Sequence, residues 1–206
     1  MISIRDFQFN PYMTNCYLLW DESRECVICD PGMCSESECR RLDDFIAAEG
    51  LRPVALILTH GHGDHTAGVT HCLRKYGIKA YMSLLDRPAF PATDVHEEED
   101  RLNFGSHELI AIACPGHTPG GVAWLCIEEK LLLSGDTLFK GSIGRTDLEG
   151  GDYDALMETL RGKLMSLAGD IEVLPGHGPR STIAEEAQTN PFLLPFNEPF
   201  DLEELG

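Results

Sequence analysis

The sequence predicts an α/β protein in which two β-sheets pack together and helices lie outside them. Short β-patterned runs open the chain, and beyond them buried-strand patterns alternate with helical ones, the order expected of stacked layers. The 206 residues can bury a sizeable core. No repeat, low-complexity tract or Ser/Pro-rich linker divides them, so residues 1–206 are read as one domain.

The opening runs cover residues 2–9, 16–20 and 26–29. A helix is predicted over 35–48, with Leu42, Phe45 and Ile46 at helical spacing and Gly50 beyond its end. Residues 54–58 form a continuous apolar run, the mark of a strand buried on both faces. It leads into the polar loop THGHGDH, then a helix over 67–76 that stops at Gly77, then a strand over 79–82. Residues 83–105 are poorly patterned, and their acidic run 97–100 reads as a solvated surface loop. Strands resume at 109–113, 122–127 and 131–133. A helix over 153–165, a strand over 171–174 and a helix over 183–187 follow.

Sixteen basic against 34 acidic residues give a net charge of −18, and no basic patch is visible for nucleic acid or a membrane surface. The apolar runs are too short to span a bilayer. The start MISIRDFQFN is unlike a signal peptide, so a cytoplasmic location is expected. Eight cysteines in such a chain read as reduced thiols. Cys26 and Cys29 have CxxC spacing, with Cys34 and Cys39 following, but on a strand the first two point to opposite faces, which disfavours a zinc site there.

Four loops after apolar strands carry unusual polar residues: HGHGDH at 60–65, CPGHTPG at 114–120, SGDT at 134–137 and PGHGP at 175–179. Each sets candidate ligands beside glycines, where a rigid strand end can aim them. The candidates are His60, His62, Asp64, His65, His117, Asp136 and His177. Imidazole suits zinc, and the carboxylates suit a second zinc or a harder ion such as manganese or iron. Seven donors exceed the three or four that hold one catalytic ion. Two divalent metals, roughly 3.5–4 Å apart, account for the surplus.

HxHxDH followed by a later His, Asp and His resembles the metallo-β-lactamase superfamily. THGHGDHTAG, CPGHTPGG, SGDTLF and LPGHGP most resemble its glyoxalase II group of thioester hydrolases, over nearly the whole chain. The resemblance implies a four-layer αββα sandwich. It assigns His60, His62 and His117 to one metal, Asp64, His65 and His177 to the other, and Asp136 to both, with Asp30 behind them. The implied activity is hydrolysis of a thioester such as S-lactoylglutathione by a hydroxide bridging two metals, most simply zinc, with Asp64 and Asp136 as the catalytic carboxylates. A thiolate leaves without protonation, so no separate acid is required. The C-terminal helical domain of full-length glyoxalase II has no counterpart in the 29 residues after His177. Arg145 stands where that family has a glutathione contact. It reads either as a clamp on a substrate carboxylate or as a surface arginine paired with Asp147 or Glu149.

Other readings remain open. Persulfide dioxygenases of the superfamily share the GRTD segment and keep the same histidines, yet hold one iron at the positions of His60, His117 and Asp136; the GHGP form around His177 resembles the hydrolases more. A lactonase or β-lactamase is a weaker fit to the loop wording, and a nuclease is opposed by the charge. A flavodiiron oxidoreductase usually has Glu at the position of His62. A structural zinc site would be closed and cysteine-rich. The partner expected is a small-molecule thioester, with the oligomeric state left open.

Overall fold

The computed structural model describes residues 1–86, 88–95 and 100–194, so most of the acidic run and the acidic tail lie outside the described residues. The first sheet is built in chain order from β1 (Ser3–Phe9), β2 (Thr14–Trp20), β3 (Glu25–Cys29), β4 (Arg52–Ile57), β5 (Lys79–Met82) and β6 (Thr93–Asp94). It runs antiparallel through β3 and parallel from there on. The second sheet contains β7 (Arg101–Phe104), β8 (His107–Ala113), β9 (Val122–Cys126) and β10 (Leu131–Gly135). A small hairpin of β11 (Leu138–Phe139) and β12 (Ser142–Ile143) precedes its last members, β13 (Glu172–Pro175) and β14 (Ser181–Thr182), and its order is β14-β13-β10-β9-β8-β7.

Alternation along the strands sorts side chains into three apolar layers. On β4 and just beyond it, Ala55 and Ile57 enter the core between the sheets. Leu56 and Leu58 enter the core against α1 (Glu36–Ala48) and α3 (Val69–Tyr76). On β9, Val122 and Trp124 face the inter-sheet core, whereas Ala123 and Leu125 face the layer formed with α4 (Tyr153–Glu158) and α5 (Ile183–Thr189). The result is the expected αββα sandwich. Strands buried on both faces explain the unbroken apolar runs.

Cys26 lies in the helix-facing core and Cys29 in the inter-sheet core, as the strand pattern requires. No disulfide joins any of the cysteines, all eight of which are described. Ser35 caps α1, accepting from Glu38 N–H, while the Glu38 carboxylate accepts from Cys34 N–H and Asn10 N–H.

Three sequence expectations need correction. The loop THGHGDH contains a helical turn, α2 (Gly63–Thr66), in which both His65 N–H and Thr66 N–H donate to His62 O. The helix expected over 67–76 begins at Val69, because Gly68 N–H is taken by Pro31 O at 2.7 Å. The helix expected over 153–165 is α-helical only to Glu158, then widens into a π turn over Thr159–Lys163 and a 3-10 turn over Leu164–Ser166. Gly162 weakens the α-form there, and Thr159 Oγ1 donates to Pro115 O at 3.0 Å. The poorly patterned stretch also yields β6 and β7, which are short enough to carry little periodicity.

One cross-sheet bond positions the site. Trp124, buried between the sheets, donates its indole N–H to Leu58 O at 3.1 Å, two residues before His60. Trp124→Phe keeps much of the apolar bulk and removes this donor. It should lower stability in urea unfolding by about 1–3 kcal/mol, the cost of leaving a buried polar group unmade. An unchanged midpoint would show that the bond contributes nothing.

Candidate metal centre

The loop after β4 and the start of α2 supply His60, His62, Asp64 and His65. The loop after β8 supplies His117, the end of β10 supplies Asp136, and the turn after β13 supplies His177. The structure brings all seven together at one edge of the sandwich. Their donor atoms form three overlapping groups, each within 4.8 Å: His60, His62 and His117; His60, His65 and Asp136; Asp64, His65 and His177.

In the first group, His62 Nδ1 is 3.1 Å from His60 Nε2 and 2.9 Å from His117 Nε2. The tautomers follow from the far side of each ring. His117 Nδ1 must donate to Arg145 O at 2.7 Å. Thr59 Oγ1 donates to Asp30 Oδ2 at 2.6 Å, so it can only accept from His60 Nδ1 at 3.1 Å. Both Nε2 atoms therefore present lone pairs to His62 Nδ1. Burial drives His60 well below the ordinary imidazole range, and burial followed by His117 lowers His62. Imidazole nitrogens converging in this way fit a cation at their centre.

The second group is arranged otherwise. His65 Nε2 lies 3.3 Å from His177 Nε2 and 3.6 Å from Asp64 Oδ2, and His177 Nε2 lies 3.3 Å from Asp64 Oδ2. Burial alone would lower His65, but Asp30 at 2.9 Å and Asp136 outweigh it and hold it at about 10. His177 is likewise raised against burial to about 9 by Asp136 and Asp64. Burial opposes the charge on Asp136 too, yet His177 and His65 keep its carboxyl well below the usual range. Protons here balance carboxylates where a cation could do so. Asp136 stands between the two groups: its Oδ2 is 3.5 Å from both His117 Nε2 and His177 Nε2, while its Oδ1, 3.3 Å from His65 Nε2, is buried without a hydrogen bond and is ready to coordinate. The donor set thus fits two ions with the borderline hardness of zinc, iron or manganese.

The match to known proteins agrees with this geometry. The metallo-β-lactamase superfamily model covers residues 9–177. The chain belongs to that superfamily. Among its curated superfamily relatives, hydroxyacylglutathione hydrolase GloC of Haemophilus influenzae is 33% identical, over 88% of this chain and 93% of its own. The human mitochondrial persulfide dioxygenase ETHE1 is 34% identical, over 86% and 70%. Among solved superfamily structures, the BLEG-1 B3 metallo-β-lactamase has a TM-score of 0.85 at 33% identity, covering 93% of this chain and 99% of that one. TTHA1623 in a di-iron-bound form has a TM-score of 0.82 at 36% identity, covering 92% and 100%.

Several supporting residues escaped the sequence reading. Thr59 links Asp30 to His60, and Asp30 itself accepts from Thr59 N–H and meets His65 Nδ1 from a left-handed backbone, φ 50°. Thr14 Oγ1 donates to Asp64 Oδ2 at 2.9 Å, and Asn10 Nδ2 donates to Asp64 O at 2.8 Å. Tyr12 O accepts from His177 Nδ1 at 3.1 Å. Thr59, Thr14, Asn10 and Tyr12 have no local sequence signature, whereas Asp30 is the residue that the resemblance places behind the metals.

A cleft of about 860 Å³ opens over the cluster, with His62, Asp64, His117, Asp136 and His177 at its floor and Tyr12, Phe139, Ile143 and Leu148 as its apolar wall. Two α5-region side chains pin the hairpin carrying Phe139 and Ile143: Glu186 Oε2 accepts from Gly141 N–H, and Asn190 Nδ2 donates to Ser142 O. Arg145 also lines the cleft. Its exposed guanidinium makes a two-point contact with Asp147, Nε to Oδ1 and Nη2 to Oδ2, both 2.7 Å. The surface pairing foreseen for this arginine is thus present, with Asp147.

Metal uptake near pH 7 should release protons, because His65 at about 10 and His177 at about 9 are charged in the metal-free chain and must deprotonate to ligate. Calorimetry in buffers of different ionisation enthalpy should give about two protons per chain. Release should shrink as the pH is raised through that range. A heat independent of buffer would contradict the protonation pattern.

Proposed function

We propose that the chain is a hydrolase with two metal ions that cleaves a thioester, S-lactoylglutathione being the candidate substrate. His60, His62 and His117 would hold one ion, Asp64, His65 and His177 the other, and Asp136 both. The observation that carries this reading is the completeness of the Asp64–His65–His177 group beside the first three histidines; the dioxygenases keep the same histidines, and the GHGP wording around His177 is what leans toward the hydrolases. The likeness to GloC supports the substrate class, and the di-iron relative supports two ions while keeping iron beside zinc.

When bound, two such ions would polarise a carbonyl and make water acidic enough to attack near neutral pH. The chain's own groups do the rest. Backbone carbonyls of Arg145 and Tyr12 fix the His117 and His177 rings, and Asp30 fixes His65, so the donors hold their aim. Phe139, Ile143 and Leu148 shield one side of the cleft from water. A thiolate leaving group departs unprotonated, which suits a floor whose carboxylates are held ionised.

Purified protein should hold close to two ions per chain, and Asp136→Ala should lose most of both in elemental analysis. A stable one-iron protein that consumes oxygen, with Asp64→Ala harmless, would transfer the chain to the persulfide dioxygenases. Cleavage of lactones but not thioesters would make it a lactonase.

Glutathione recognition is tested at the rim. If the Arg145 guanidinium clamps a substrate carboxylate, it must leave Asp147 to do so. Arg145→Met should then raise KM for S-lactoylglutathione by about tenfold or more, while Asp147→Asn should lower it. A thioester lacking the carboxylate should respond to neither change. Equal effects on both substrates would mean that the pair orders the loop instead.

A further inference from the structure

Three hydrogen bonds converge on a carboxylate outside the seven candidate ligands. Asp86 ends the short 3-10 turn Leu84–Asp86 after β5. Its Oδ2 accepts from Gly61 N–H at 2.7 Å and from Thr118 Oγ1 at 2.9 Å, and its Oδ1 accepts from Gly120 N–H at 2.6 Å. Gly61 lies between His60 and His62, while Thr118 and Gly120 follow His117. One side chain therefore ties together the two loops whose three histidine nitrogens converge.

The same contact accounts for two glycines. A Cβ at position 61 would stand 2.8 Å from Asp86 Cβ, and one at position 120 would stand 2.5 Å from Asp86 Oδ1. Neither glycine has a positive φ. What these positions require is room for Asp86, its side chain and its backbone, not left-handed backbone. Asp64, His65 and His177 are held by other partners, namely Thr14, Asn10, Asp30 and the Tyr12 carbonyl.

We propose that Asp86 is a positioning residue for the metal site of His60, His62 and His117, setting the spacing of the two loops that supply them. The proposal rests on the reading that these histidines share one ion. It predicts a selective effect: loss of Asp86 weakens this site and spares the Asp64–His65–His177 site.

The test is titration of the metal-free full chain with Co²⁺, followed by calorimetry and by the visible absorption of each bound ion. Wild-type protein should show two binding events. Asp86→Asn keeps the shape but turns one acceptor into a donor facing an N–H or hydroxyl, and should weaken one event about tenfold or more, with an altered spectrum for that ion. Thr118→Val removes a single bond and should weaken the same event by less. It also serves as the test should Asp86→Asn fold poorly. Gly120→Ala would push a Cβ into the Asp86 carboxylate and should weaken the same event as Asp86→Asn. Equal weakening of both events, or unchanged binding with only a lower Tm, would overturn the proposal. A wild-type chain that binds one ion would overturn the two-ion reading instead. Asp86 would then be judged on that ion, a loss of about tenfold supporting it and no loss refuting it.

Discussion

Three imidazole nitrogens are packed together around His62 Nδ1, the shorter separation being 2.9 Å, and so close a meeting has to be held by the groups behind the rings. A fold left to itself would let the rings swing apart or take up protons. This one prevents both. Burial suppresses protonation of His60, and hydrogen bonds on the far side of His60 and His117 fix the rings. A cation would draw the three nitrogens to one point, and much of the surrounding polar structure can be understood as holding the rings in place for it. Asp30 shows the cost of such arrangements. It adopts a left-handed backbone that a β-carbon disfavours, and in return its carboxylate reaches both Thr59 and His65.

The scaffold was legible in the sequence because apolar periodicity is a local signal. The run ending at Leu58 had to be buried on both sides, and its residues do alternate between two cores. The histidines and aspartates were legible because they cluster in short motifs after such runs. What escaped notice depends on where distant segments land. Thr14 reaches Asp64 across 50 residues and Asp86 reaches Gly120 across 34, and no local pattern marks either. Asp86 lies in the stretch without periodicity. The broken helix after Glu158 escaped for a related reason: its widened turn answers to the Pro115 carbonyl, which the helical pattern does not contain.

Two parts of the cleft's rim differ in kind. The apolar hairpin with Phe139 and Ile143 is anchored from beneath by Glu186 and Asn190, both buried. The Arg145–Asp147 pair that follows it is exposed, and such pairs contribute little to stability. The firm rim suits shaping a substrate's reactive end. The weak pair can exchange partners at small cost, a property useful for recognising a charged arm.

The donors come from both sheets, and each three-residue group draws two members from the loop and turn after β4 and one from the second sheet. Neither half of the sandwich has a full set. A nascent or partly opened chain therefore presents only weak two-point sites, whereas the closed sandwich presents chelating ones. Ion capture becomes a late event in assembly, dependent on the docking of the sheets. Once captured, an ion on Asp64, His65 and His177 would join segments 113 positions apart (177 − 64) and act as a clasp against their separation.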